Sequence, residues 1–353
     1  MREWMRFLER AALEGASDVF WIPGAPVSFK MEGKLLPMEG HRIMPEQTKS
    51  YIQEIYKMVD RDINGFLTTG DDDFSFSVAG LARFRINVYR QRGSWAAVIR
   101  VVQFSVPNYK ELGIPEQVMA LAEGTSGMVL VTGTAGCGKS TTLACLVDRI
   151  NQNRACHIVT LEDPIEYLHR NQKSIVSQRE VAVDTQDYLS ALRACLRQAP
   201  DVIQLGEMRD LETIRTAMTA AETGHLLLAT LHTKGAVNTI DRIIDAFPAD
   251  QQQQIRIQLS TVLCTVVSQQ LLPDVDGSLV PAFEILHVNS AVRSMIRDSR
   301  NHLIAGAIAA GGQDGMISMD QSVLELYRAG RITRETALDY CDNPEQLQRR
   351  MDS

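Results

Sequence analysis

The chain reads as an α/β protein whose main body is a mostly parallel sheet, preceded by a smaller α+β domain. Strand candidates 128–132, 157–161, 201–205 and 226–231 are apolar throughout rather than alternating, as in strands covered on both faces. Helical stretches such as 184–198 and 210–222 separate them, the alternation that builds parallel sheets. The first ~105 residues run helix, strands, helix, strands instead, which predicts a small mixed domain.

Taken in order, residues 2–14 fit an amphipathic helix. Acids lie inside its apolar stretch and no cleavage signal follows, so a signal peptide is not expected. Asp18 to Phe29 is apolar and broken by Pro23, Gly24 and Pro26, which predicts short strands joined by a turn. Pro45 to Val59 fits a second helix, and Phe74 to Val78 alternates as a strand before Gly80 turns the chain. Arg83–Val88 and Trp95–Val102 form a hairpin around Gln91-Arg92-Gly93-Ser94. The polar stretch Pro107–Pro115 marks a linker, so the expected domains are 1–106, a linker at 107–116, and 117–353. Residues 251–272 are expected to form one long helical segment. Shorter helices follow, one opened by Asn343 as N-cap with Pro344 at its first position.

A hydrophobic fraction of 45% with 22% charged residues is that of a soluble globular protein. The net charge of −7 supplies no overall field to attract nucleic acid, so no nucleic-acid partner is expected. No apolar run approaches the ~20 residues that cross a bilayer, and no direct membrane insertion is expected. No two of the six cysteines form a C-x-x-C pair, which argues against zinc and for a reducing cytoplasm. Cys137 stands apart, because its loop position predicts exposure beside positive charge and hence reactivity.

That loop is Gly133-Thr134-Ala135-Gly136-Cys137-Gly138-Lys139-Ser140-Thr141, between the apolar run 128–132 and a helical stretch. Strand, glycine loop and helix are the full context of a G-x-x-x-x-G-K-[ST] polyphosphate cradle. Its backbone N–H groups turn inward, and the helix N-terminus adds partial positive charge. Lys139 reaches the β- and γ-phosphates and the Ser140 hydroxyl binds Mg²⁺, which makes a nucleoside triphosphate with Mg²⁺ the expected ligand, without choosing among ATPases, kinases and GTPases. Asp201–Glu207 is an apolar strand ending in Gly-Glu, placing the Glu207 carboxylate at a strand tip as a metal-shell ligand or a water organiser. His157–Glu166 is a strand followed by Glu162, Asp163 and Glu166, acids suited to activating water. His232 ends the buried strand 226–231, positioned for the γ-phosphate or a neighbouring subunit. The hairpin carries Arg83, Arg85, Arg90, Arg92 and Arg100, either a solvated charged surface or phosphate-binding arginines.

Together these segments resemble the secretion ATPase superfamily, and closely its branch of type IV pilus retraction ATPases. The branch's motifs appear in order as Walker A at 133–141, an Asp box at 161–166, Walker B at 205–210 and a His box at 221–233. Ala291–Asp298 is similar to the retraction-ATPase helix motif written A-I-R-N-L-I-R-E. Ala135 and Cys137 replace the usual Thr and Ser, Gln204 replaces an aliphatic residue, and Phe20 stands where His is common. The resemblance implies a PAS-like N-terminal domain, a RecA-like ATPase domain and a homohexamer. It implies Glu166 as the water-activating residue, Glu207 as the Walker B acid, and Arg85 and Arg100 as arginines that reach the phosphates. It further implies a cytoplasmic motor, peripheral to the membrane at the pilus base, that works on an inner-membrane pilus platform protein, beside a second retraction ATPase. Pilus assembly or secretion ATPases, and a non-hydrolysing ATP-binding regulator, are the alternatives.

Overall fold

The computed structural model describes residues 2–31, 33–102 and 106–352. The chain divides into two compact units, one of residues 1–105 with 166–168, the other of 106–165 with 169–353.

In the first unit, α1 (Glu3–Glu14) buries Trp4, Leu8 and Ala11, spaced to share one helix face, and stops at Gly15 in the left-handed conformation. There follow β1 (Asp18–Trp21), β2 (Pro26–Met31), β3 (Lys34–Arg42), α2 (Pro45–Met58), α3 (Asn64–Thr69), β4 (Asp71–Val78), β5 (Ala82–Gln91) and β6 (Ser94–Val102). The strands form one antiparallel sheet in the order β3-β2-β1-β6-β5-β4. β5 shows why it is one-sided: Ala82, Phe84, Ile86 and Val88 are buried, while Arg83, Arg85 and Asn87 point the other way. The core closes on Trp4, Trp21, Phe66 and Phe84. The Trp4 indole N–H donates to Glu54 at 3.0 Å, and Trp21 meets Tyr51 edge-on at 5.5 Å.

The second unit holds α4 (Glu116–Met119), β7 (Gly127–Thr132), α5 (Lys139–Asn153), β8 (His157–Glu162), β9 (Ile175–Glu180), α6 (Tyr188–Cys195), β10 (Val202–Leu205), α7 (Leu211–Glu222), β11 (Leu226–Leu231), α8 (Ala236–Asp245) and α9 (Ala249–Val262). β12 (Leu263–Pro273), β13 (Leu279–His287), α10 (Ser290–Arg297), α11 (Ile304–Ala310), α12 (Met319–Arg328), α13 (Arg334–Tyr340) and α14 (Pro344–Met351) complete it. The sheet order is β13-β12-β7-β11-β10-β8-β9, parallel except for β13. β7, β10 and β11 are buried at every residue, between a core under α7, α8 and α9 and another under α5. Strand ends align, Thr132 pairing with Leu231 and Leu205 with both Ala229 and Leu161. The carboxyl ends of β7, β11, β10 and β8 therefore share one edge, where parallel sheets carry their sites.

The expected helix over 251–272 is half strand: α9 ends at Val262 and β12 begins at Leu263. Ile255, Leu259 and Val262 keep helical spacing up to the boundary, which hides it. Beyond it the β-branched Thr265, Val266 and Val267 pair with Val129, Leu130 and Val131 of β7, and strand pairing decides the conformation. Asn343 caps α14 as expected, accepting from Gln346 N–H at 3.1 Å. At the far end of α5, the fully buried Asn151 donates to the Arg170 carbonyl at 2.8 Å and accepts from Gln172 N–H at 3.1 Å.

Candidate active site

The glycine loop joins β7 to α5, with Thr134, Ala135 and Gly136 exposed and Ser140 and Thr141 half-buried at the first turn of the helix. Gly133 and Gly138 are required by close approach as well as by positive φ. A Cβ on Gly133 would overlap the Gln269 carbonyl oxygen, and one on Gly138 would lie 2.8 Å from Gln269 Nε2. Cys137 is 3% exposed, and burial pushes its thiol pKa up. This corrects the expected reactive cysteine: the side chain tucks under the loop towards Gly133 instead of facing solvent.

Lys139 is 7% exposed, and its ammonium donates to the carbonyls of Gly133 at 2.9 Å and Thr134 at 2.8 Å. Its third neighbour is His232 Nδ1, at 3.5 Å. The other ring nitrogen of His232, Nε2, meets Glu207 Oε2 at 3.2 Å. The other oxygen of Glu207 is ion-paired with Arg209. The Thr230 hydroxyl donates to the Gly206 carbonyl, and Met208 N–H donates to the Thr230 carbonyl at 3.2 Å, so β11 holds the turn that carries Glu207. Lys139, His232, Glu207 and Arg209 thus form one continuous polar chain across the ends of β7, β11 and β10. Tyr188, on α6, has its phenol pKa raised by burial and then by the charges of Asp163 and Glu207.

The Asp box is held by β9, a strand the sequence reading did not locate. Glu162 accepts from Thr160 at 2.5 Å and from Gln178 at 3.1 Å. Ile165 N–H donates to the buried Glu180 at 3.1 Å, and His169 N–H donates to Gln178 at 2.8 Å. The exposed Glu166 therefore lies in a short segment staked on both sides by β9. Glu166 groups with the first unit, as do Arg85 and Arg100, whereas Lys139, Ser140, Glu207 and His232 belong to the second. Arg85 and Arg100 sit directly opposite each other on β5 and β6. Arg100 donates to Asp18 at 3.1 Å and Arg85 lies 3.9 Å from Asp73. Arg209 and His232 both contact Glu207 within the chain.

Sequence reasoning also missed Gln269 and the cavity beside it. The cavity, about 350 Å³, opens alongside the loop at Gly138 and Thr141 and is walled by Lys110, Gln269, Pro281 and Arg331. The polar pair Gln269-Gln270 inside a β-branched run was the available signal.

The family described as "Type II/IV secretion system protein" matches residues 1–308. The chain belongs to this family. It is 42% identical over 338 residues to the type IV pilus retraction ATPase PilT of Pseudomonas aeruginosa, covering 96% of this chain and 97% of that one. It is 38% identical over 346 residues to the type IV pilus ATPase PilU of the same organism, covering 98% and 90%. A crystal structure of the pilus retraction motor PilT with bound ADP superposes with a TM-score of 0.86 at 41% identity, over 99% of both chains. The antiparallel first sheet and mostly parallel second sheet match that structure, as the predicted fold class requires. Among the described residues, no helix is long and apolar enough to cross a membrane.

Proposed function

We propose that this chain hydrolyses ATP at the loop 133–141 and is the motor of type IV pilus retraction, driving pilin disassembly and twitching motility. The observation that carries the reading is the Lys139–His232–Glu207 chain at the carboxyl edge of the parallel sheet, in a family of pilus and secretion ATPases. Lys139 neutralises phosphate charge, and His232 reports the γ-phosphate to Glu207 through its two ring nitrogens. Glu166 takes a proton from the attacking water, and Arg85 and Arg100 add positive charge at the phosphates. The cavity beside Gly138 receives the base and sugar.

Mg²⁺ fits the donors present. Ser140 and Glu207 offer hard oxygen ligands, and no cluster of three His, Cys, Asp or Glu among the described residues forms a protein-only cage. That is the donor set of an ion held largely by phosphate and water, and when bound it neutralises phosphate charge. The working form is a homohexamer, cytoplasmic and peripheral to the membrane, that acts on an inner-membrane platform protein and alongside a second retraction ATPase. Its domains are 1–106 and 117–353 about a linker at 107–116.

Coupling to the pilus runs through α10, which buries Val292 and Ile296 and leaves Arg293 and Arg297 exposed. Reversing both charges leaves ATPase activity near normal and stops retraction in cells. Loss of ATPase activity as well would assign the helix to the fold.

The experiment for the whole reading is Lys139→Ala in a coupled ATPase assay, where turnover falls at least ~10³-fold as the phosphates lose their counter-charge. Unchanged turnover defeats the reading. A deletion strain then decides direction: hyperpiliated, non-motile cells mark a retraction motor, and bald cells an assembly motor.

A further inference from the structure

Gln269 touches the phosphate loop at both of its ends. It is 3% exposed and follows directly on the register pair Ser268–Thr132, which sets it opposite Gly133. Its backbone carbonyl occupies the space a side chain on Gly133 would need. Its side-chain Oε1 accepts from the Thr142 hydroxyl at 2.8 Å, and Thr142 is fully buried in the first turn of α5. Its Nε2 lies over Gly138, on the wall of the cavity beside the loop. Lys139 and Ser140 sit between these two side-chain contacts, at Gly138 and Thr142. The same strand goes on to the C-terminal helices, where Gln270 Nε2 donates to the Tyr340 carbonyl at 3.4 Å and Asp274 pairs with Arg331.

We propose that Gln269 is a positioning residue for nucleotide binding: it clamps Gly138 and the first turn of α5, and so fixes where Lys139 and Ser140 meet phosphate. The inference rests on the ATP-binding reading of the loop. The chemistry explains the residue type. The site needs an acceptor for a buried hydroxyl and a neutral group that packs over Gly138, and an amide supplies both. A carboxylate there would place negative charge beside the phosphates, and an aliphatic chain would leave the Thr142 hydroxyl without its acceptor.

The test uses the purified full chain, a fluorescent N-methylanthraniloyl ADP as probe, and the variants Gln269→Met, Thr142→Val and the two combined. Gln269→Met keeps the volume and removes both polar ends, whereas Thr142→Val removes the shared bond from the other side. Gln269→Met raises the probe's Kd roughly tenfold and Thr142→Val about threefold, the range set by loss of one buried hydrogen bond. The double variant is no weaker than Gln269→Met alone, because both substitutions break the same bond. The KM for ATP rises in parallel, whereas the melting temperature without nucleotide falls by the same amount in Gln269→Met and in Thr142→Val, since each breaks the same buried bond. Kd values within twofold of wild type, or losses that add in the double variant, overturn the proposal. So does a drop in melting temperature with Kd unchanged, which would make Gln269 a core residue only. Should Gln269→Met fail to fold, the Thr142→Val Kd decides alone: about threefold weaker supports the clamp, unchanged overturns it. A wild-type chain that binds no probe refutes the nucleotide reading itself, a separate outcome.

Discussion

In the first unit β5 buries alternate residues, Ala82, Phe84, Ile86 and Val88, and turns the others away from that core. In the second unit β7, β10 and β11 bury all of theirs. The difference decides where polar chemistry can go. A one-sided antiparallel sheet can display functional groups along a face, so Arg85 and Arg100 stand side by side between Asp73 and Asp18. A parallel sheet covered on both sides leaves only its strand ends, and Lys139, Glu207 and His232 all lie there. The face holds its charges by separate ion pairs, while the edge holds them by a connected, partly buried network.

That contrast predicts which substitutions cost activity without stability. Arg85→Ala and Arg100→Ala each lower kcat by up to ~10³-fold if the face supplies phosphate-binding arginines. Arg85→Ala barely moves the melting temperature, because a solvent-exposed ion pair contributes about 0–1 kcal/mol, whereas Arg100→Ala also leaves the buried Asp18 carboxylate without its cation. Normal hydrolysis in both variants would make the face an ordinary solvated surface and the contrast purely structural.

Glu166→Gln slows hydrolysis roughly 10²-fold while ADP binding persists, since an amide takes no proton from water. Stopped-flow binding beside a phosphate-release assay separates the two steps. An active Glu166→Gln with a dead Glu162→Gln would move the water-activating role back onto the β8 terminus.

The smallest effect concerns His169, where burial lowers the imidazole pKa from 6.5 to about 4. The unfolded chain takes up this proton first as pH falls, so stability is full above pH 6.5 and declines between there and pH 4. The loss reaches at most about 3 kcal/mol. Urea denaturation of His169→Gln across that interval gives a flatter pH dependence than the parent; parallel curves would remove His169 as the cause.

The loop, the acids at 162–166, Glu207 and His232 were legible because each motif is local and each falls at the end of an apolar run. Their assembly followed from the parallel register. β12 was not legible, because the apolar spacing of α9 runs on into it and only pairing with β7 settles the conformation. Gln269 was hidden for the same reason and for another: its partner Thr142 is 127 residues away in sequence. β9 offered no apolar run, being half-exposed along most of its length. Cys137 was misjudged because loop position suggests exposure, while the positive φ values of the neighbouring glycines turn its side chain inward.

One consequence follows from Asn151. Helix α5 has 15 residues and so runs about 22 Å from the phosphate loop to its far end. Thr142 ties its first turn to Gln269, and Asn151 ties its last turn to the backbone at Arg170 and Gln172. A rod pinned at both ends by directional bonds cannot rotate or slip at one end without moving the other. The stretch 170–172 stands just beyond the staked segment that carries Glu166. α5 therefore acts as a strut in a mechanical sense, relaying a shift of the loop to the chain at 170–172. Asn151→Leu, which keeps the helix and cuts the far tie, would loosen that relay while leaving the loop's own contacts in place.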